Sequence, residues 1–175
     1  MSNVVLGYPK ISKADFEWIQ GIREVNDRQY KIVKPHITFV FPTSKLPVVE
    51  LASHIRRKAS NTPRIAIALS KAAVVQDDSK KFFHVFLVPA AGYEEIVRLH
   101  DLLYTDVLSS ELREDIPFIP HVGIATSESE ATARDLANKL NATGVNVVGS
   151  VDALAVSEFD GNLVRDVEEI ALRST

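Results

Sequence analysis

A pentad of the form Pro-His-x-x-apolar occurs twice, as Pro35-His36-Ile37-Thr38-Phe39 and as Pro120-His121-Val122-Gly123-Ile124. The copies lie 121 − 36 = 85 positions apart in a chain of 175 residues, so each falls in the corresponding part of one half. That spacing predicts a duplicated fold with one histidine per half. Side chains alternate faces along a strand, so His36 and Thr38 share one face while Ile37 and Phe39 take the other. His121 and Gly123 are set in the same way against Val122 and Ile124. An apolar back with a polar front suits a strand that lines a cleft. Symmetry would then bring both imidazoles to one groove, where their near-neutral pKa suits one to be an acid and the other a base.

The rest of the chain repeats one plan: helix, Pro-His strand, helix, strand. Residues 3 to 9 read as a strand ended by Pro9, followed by a helix with Ser12 as N-cap and an apolar stripe of Trp18, Ile22 and Val25 beside Ile19. The run His36 to Phe41 is a strand stopped by Pro42. A helix near Pro47 carries Val48, Leu51, Ala52, Ile55 and Ala59 on one face, with His54 expected to point outward. Ile65 to Val75 and Phe82 to Val88 read as a hairpin across Asp77-Asp78-Ser79. The second half follows with a helix from Tyr93 to about Leu112, whose face carries Ile96, Leu99, Leu103 and Val107. The strand His121 to Thr126 comes next, then a helix opened by a Ser127/Glu130 capping box and stopped at Asn141 and Gly144. Val145 to Phe159, interrupted by Gly149, and Leu163 to Leu172 form a last hairpin around Asp160-Gly161-Asn162.

Composition narrows the class. Hydrophobic residues at 46% and charged residues at 25% are an ordinary globular balance, which argues for one domain, residues 1–175, and against disorder or a membrane protein. With no cysteine there is no thiol nucleophile, disulfide or Cys-ligated zinc. The N-terminal Met1-Ser2-Asn3-Val4-Val5-Leu6 reads as a strand rather than a signal peptide, so the cytoplasm is the expected compartment and the Asn141-Ala142-Thr143 sequon carries no weight. A net charge of −3 argues against a protein that coats long duplex nucleic acid, while leaving room for a small nucleotide or an RNA end.

On a phosphodiester, a neutral imidazole would take the proton from an attacking water while a protonated one gives a proton to the departing sugar oxygen. The Thr38 hydroxyl, on the same face as His36, would donate to a non-bridging oxygen. Handling both protons in this way needs no metal or other cofactor, and neither pentad contains an Asp, Glu or Cys ligand.

The paired histidine strands within a chain of this size resemble the two-histidine (2H) phosphoesterases, the superfamily of RNA 2′-5′ ligase-like and cyclic phosphodiesterase proteins. The resemblance covers the order of elements along the whole chain, and its specific content is His36-Ile37-Thr38-Phe39 and His121-Val122-Gly123-Ile124. It implies an α+β, bilobal, duplicated fold of roughly one lobe per chain half. Two antiparallel sheets would line a central cleft, with helices packed outside. It also implies metal-independent chemistry on 2′,3′-cyclic or 2′-5′ phosphodiester bonds of RNA ends or small nucleotides, with His36 and His121 catalytic and Thr38 on the phosphate; a monomer is expected. Gly123 departs from the pattern, which asks for a hydroxyl there. The alternative is accordingly a non-catalytic nucleotide or RNA-end binding protein with a degenerate second motif.

Further substrate contacts are expected from Gly123, whose missing side chain would let a backbone N–H approach the phosphate, from Tyr8 and Lys10 around the end of the first strand, from Lys34 before the first pentad, and from Phe82, His84 and Phe86 on one face of their strand. Aromatic rings there would stack on a base. His100, at the margin of its helix's apolar face, is expected to be structural.

Overall fold

A computed structural model describes residues 1–174. In chain order it contains β1 (Ser2–Gly7), β2 (Lys10–Ile11), α1 (Lys13–Asn26), β3 (Ile37–Thr43), α2 (Val48–Ala59), β4 (Ile65–Gln76), β5 (Phe83–Ala91), α3 (Tyr93–Leu103), a 3₁₀ turn (Asp106–Glu111), β6 (Val122–Ser127), α4 (Glu130–Thr143), β7 (Val147–Val151), β8 (Ala153–Phe159) and β9 (Val164–Ala171). The strands form two antiparallel sheets. One has the order β3-β1-β8-β9 and the other β2-β7-β4-β5-β6. The helices lie outside: α2 and α3 pack on each other, α2 against β8 and β9 and α3 against β3, while α4 packs on β4, β5 and β6. No helix is long and apolar enough to cross a membrane among the described residues.

The sheets do not coincide with the halves of the chain. β8 and β9 from the C-terminal half complete the sheet of β1 and β3, and β2 from the N-terminal half pairs with β7 at the edge of the other sheet. Helix α1, from the first half, packs against β6 of the second. The expected lobe per half is thus replaced by an interleaved pair, because β1 finds its partners in β3 and in the distant β8, where Val5 lies opposite Val156.

Several local expectations change for identifiable reasons. The stretch from Val145 to Phe159 breaks at Asp152 rather than at Gly149, and the chain switches sheets there. Gly149 instead serves close approach: a Cβ on it would meet the Lys10 carbonyl oxygen at 2.3 Å, so only glycine lets β2 lie against β7. The α3 helix stops at Leu103, with Thr105 Oγ1 donating to the Leu102 carbonyl, and the rest of the segment becomes the 3₁₀ turn. The α4 cap is Ser129, whose hydroxyl accepts from the Thr132 N–H, while Ser127 ends β6. The β8–β9 hairpin turns at Gly161, whose φ of +97° favours glycine.

His54 is buried, its Nε2–H donating to the Leu103 carbonyl at 2.9 Å across the α2–α3 contact. Its position three residues after Leu51 sets it on the helix face that packs on α3. In α1 the face turned inward is centred on Ile19 and Arg23, while Trp18 and Val25 stand at 38% and 81% exposure. Arg23 is buried with each guanidinium nitrogen hydrogen-bonded: Asp27 Oδ2 at 2.7 Å, Gln20 Oε1 at 2.9 Å and the Val33 carbonyl at 2.8 Å. These bonds fasten the end of α1 to the segment that leads into the first histidine.

Candidate active site

β3 begins one residue after His36, and β6 one residue after His121, so each imidazole sits at the mouth of its strand. Apolar anchors hold both openings: Ile37, Phe39, Val122 and Ile124 are all completely buried. Each ring makes the same local bond. His36 Nδ1 lies 2.8 Å from the Lys34 carbonyl and His121 Nδ1 lies 2.6 Å from the Ile119 carbonyl. A carbonyl only accepts, so each Nδ1 carries the proton, and in the neutral ring Nε2 is left as the proton acceptor.

Both histidines line one groove of ≈ 320 Å³ between the two sheets. Thr38, Gly123, His84 and Phe86 line it too. Thr38 pairs with Leu6 of β1 and follows His36 by two residues, which keeps its hydroxyl on the same face. Phe86 stacks on the His121 ring, centroids 3.5 Å apart and planes 15° apart, and His84 lies parallel to Phe86 at 5.7 Å. The His84 Nδ1 is 3.1 Å from Thr126 Oγ1.

Burial pushes the pKa of His36 below its ordinary value. The Lys34 carbonyl bond opposes this, and the nearby Arg23 guanidinium adds to it. Burial, seconded by the charges of His36 and His84, brings His121 down to about 4 despite its bond to Ile119. Burial thus favours the neutral form of both rings in the unliganded groove. A bound phosphate would favour the protonated form of either ring.

Gly123 is open. A Cβ built on it meets nothing within 4 Å, and its backbone is not in the left-handed region. Next to it the β5–β6 register shifts, with Phe86 opposite Gly123 and Val85 opposite Ala125. The glycine marks a bulge, and nothing in its packing prevents a side chain.

The other expected contacts do not line this groove. Tyr8 donates to Asp166 Oδ1 at 2.8 Å, and burial together with that carboxylate raises its pKa. Lys34 Nζ sits 4.6 Å from the Tyr8 ring centroid. Lys10 pairs with Asp152 at 3.5 Å beside the β2–β7 edge, and Phe82 lies beneath the Arg28 guanidinium at 4.2 Å. His100 is buried, its Nδ1–H donating to the Phe39 carbonyl at 2.9 Å. Sequence reasoning missed Asp27, Gln29, Phe41 and Thr126, which do line the groove. Asp27 and Gln29 lie in a polar connector without periodicity, and only the strand register of β5 and β6 sets Thr126 opposite His84. Among the described residues no group of three His, Cys, Asp or Glu side chains is gathered to hold a metal ion.

Two histidine-led strands, one on each of two antiparallel sheets that share a groove, define the two-histidine phosphoesterase class. The chain belongs to the 2′-5′ RNA ligase superfamily, whose family profile matches residues 9–163. Among curated proteins it is 23% identical over 138 residues to one from Geobacillus kaustophilus that is provisionally named a phosphoesterase, covering 78% of this chain and 76% of that one. A similarly named protein of Staphylococcus haemolyticus is 20% identical over 151 residues, covering 85% and 86%. Among solved structures, Escherichia coli LigT in complex with 3′-AMP superposes with a TM-score of 0.65 at 17% identity, covering 98% of this chain and 99% of LigT. LigT has also been solved with ATP and with NADP+. TT0787 of Thermus thermophilus gives 0.63 at 17% identity, covering 99% of each chain. These structural likenesses establish the fold.

Proposed function

We propose that this protein hydrolyses a 2′,3′-cyclic or 2′-5′ phosphodiester of an RNA end or small nucleotide by acid and base catalysis through His36 and His121. The observation that carries the reading is the matched pair of Nδ1-to-carbonyl bonds, which leaves two Nε2 atoms to serve one groove. The neutral ring takes a proton from water as the water oxygen bonds to phosphorus. The bond from phosphorus to the leaving ribose oxygen breaks, and the protonated ring gives that oxygen its proton. Thr38 donates to a non-bridging oxygen, where charge changes in the transition state. The nucleotide complexes of LigT, similar in fold, support a nucleotide as substrate. The test is a panel of 2′,3′-cyclic nucleotides and 2′-5′ dinucleotides in the presence of a chelator. Product from at least one class is expected, and no product from any of them would overturn the proposal.

The depressed histidine pKa values set the pH profile. Turnover needs one ring protonated and one neutral, so kcat/KM peaks between the two values of the free protein, both below 6.5. As pH rises past the higher value the acid is lost, and kcat/KM is expected to fall about tenfold per unit. A profile measured from pH 4 to 9 checks this; an optimum above pH 7 would contradict it.

Gly123 favours a second reading, a binding protein without turnover, because a hydroxyl donor is missing where there is room for one. Gly123→Thr is expected to raise kcat by up to about 10²-fold, the order of effect of one charge-stabilising donor. A wild type that binds a cyclic nucleotide without forming product, beside an active Gly123→Thr, would select the binding reading.

A further inference from the structure

Three histidines line the groove, and the third is held differently from the other two. His84 borders it together with His36, His121, Thr38 and Gly123, yet the transfer of two protons needs only two imidazoles. The Nδ1 atoms of His36 and His121 face carbonyl oxygens, which only accept. The Nδ1 of His84 lies instead 3.1 Å from Thr126 Oγ1, and a hydroxyl can donate. That hydroxyl has no other hydrogen-bond partner among the described residues, so donating to Nδ1 gives its proton an acceptor. A neutral His84 ring held in this way carries its own proton on Nε2, the reverse of the other two. Burial favours the neutral ring and pushes its pKa below the ordinary value, against the charges of Asp77 and Asp27, while Arg28 adds to the fall.

The strand register brings this ring to the position where the second pentad lacks a side chain. His84 and Phe86 share one face of β5, with Phe86 opposite Gly123 and His84 opposite Thr126. His84 is therefore the diagonal neighbour of Gly123, a relation in which residues stand about 7–8 Å apart and long side chains still meet. The glycine leaves the space beside it open, since a Cβ there would meet nothing within 4 Å. Stacking fixes the ring plane as well. His84 lies 7° from parallel to Phe86 at 5.7 Å, and Phe86 lies 15° from parallel to His121 at 3.5 Å. A phosphate hydrogen-bonded through Nε2 to two imidazoles spans about 10 Å between ring centroids, given hydrogen bonds of about 2.9 Å. The two stacking intervals laid end to end fall within that reach.

We propose that His84 binds the phosphate in this groove, its Nε2–H donating to a non-bridging oxygen and so standing in for the hydroxyl absent at Gly123. This rests on the phosphodiester reading of the groove. Thr126 is the positioning residue, because its hydroxyl sets the tautomer that makes Nε2 a donor. His84 takes no part in the proton transfers, since a ring that keeps its proton on Nε2 is a donor there and not a base.

Long-range ¹H–¹⁵N spectra of the full chain at pH 8 read the tautomers without any turnover. His84 is expected to carry its proton on Nε2, and His36 and His121 theirs on Nδ1; a His84 protonated on Nδ1 would overturn the inference. Inorganic phosphate should shift the His84 Nε2 signal. His84→Phe, which keeps a ring against Phe86, should weaken phosphate binding about tenfold, as the loss of one bond to a charged group implies. With a cyclic or 2′-5′ substrate, kcat/KM should fall about 10²-fold in His84→Phe. His84→Gln, whose amide donates from a similar reach, should recover about tenfold of that loss, and Thr126→Val should lose about tenfold. Gly123→Thr should raise kcat/KM more in His84→Phe than in the wild type, because two donors to one oxygen do not contribute additively. Unchanged kcat/KM in His84→Phe, a His84→Gln no better than His84→Phe, or an equal gain from Gly123→Thr in both backgrounds overturns the role of His84 and leaves the phosphoesterase reading intact. Phosphate held through His84 without turnover of any substrate does the reverse.

Discussion

His36→Ala and His121→Ala are each expected to lower kcat by about 10²- to 10⁴-fold, the usual contribution of a positioned acid or base. The two single substitutions should be similar in size, because each imidazole has the same local bond and the same groove. They should differ in the pH profile. Removing the base abolishes the acidic limb and removing the acid abolishes the alkaline limb, so the surviving limb of each variant identifies the role of the residue lost. The double variant is expected to cost less than the product of the two losses, since groups that act in one step do not contribute additively. Each protein should be checked for unchanged thermal unfolding. Full activity in either single variant would overturn the proposed mechanism.

Arg23→Met is expected to destabilise the protein by about 3–5 kcal/mol, because it strands a buried carboxylate. The side chains of Arg23 and Asp27 are only 1% and 7% exposed, so water replaces the lost ion pair poorly. Asp27→Leu added to Arg23→Met should recover part of that loss, because an apolar pair of similar volume often matches a buried ion pair. Urea unfolding of the two single variants and the double variant measures the coupling. Activity should fall along with stability, since Arg23 also binds the Val33 carbonyl and so steadies the segment that leads to His36. A loss under about 1 kcal/mol in Arg23→Met would show that the pair is screened by solvent, contrary to its burial.

The legible parts of the fold are those that depend on near neighbours in the chain. The two Pro-His strands, the β4–β5 and β8–β9 hairpins and the Ser12 cap of α1 follow from alternation, turn residues and capping chemistry. What escaped depends on distant partners. His54 looks outward on a helical wheel until α3 packs on it, and Arg23 looks like a surface charge until Asp27, Gln20 and Val33 enclose it. Trp18 and Val25 have the spacing of a core stripe, yet α1 turns Ile19 inward because it packs on β6. The sheet switch at Asp152 has no local signal, since Val147 to Val151 and Ala153 to Phe159 are equally good strands by composition.

The candidate site divides in the same way. His36, Thr38, His121 and Gly123 stand out in the sequence because the pentad repeats. His84 and Phe86 stand out because strand alternation sets them on one face. Tyr8, Lys10 and Phe82 had the same standing in the sequence, but their partners Asp166, Asp152 and Arg28 hold them away from the groove lining. No sequence pattern distinguishes Phe41 from any other strand phenylalanine.

The sequence by itself determined the candidate site residues: two imidazoles at matched strand openings, a threonine two residues after the first, and a glycine at the matching position of the second copy. Those properties belong to covalent structure and to the two-residue period of a strand, both of which are local. Only the tertiary structure decided that the rings share one groove and that burial there favours their neutral form. These outcomes depend on burial and on contacts between residues far apart in the chain, which come into being only when interleaved strands complete each other's sheets.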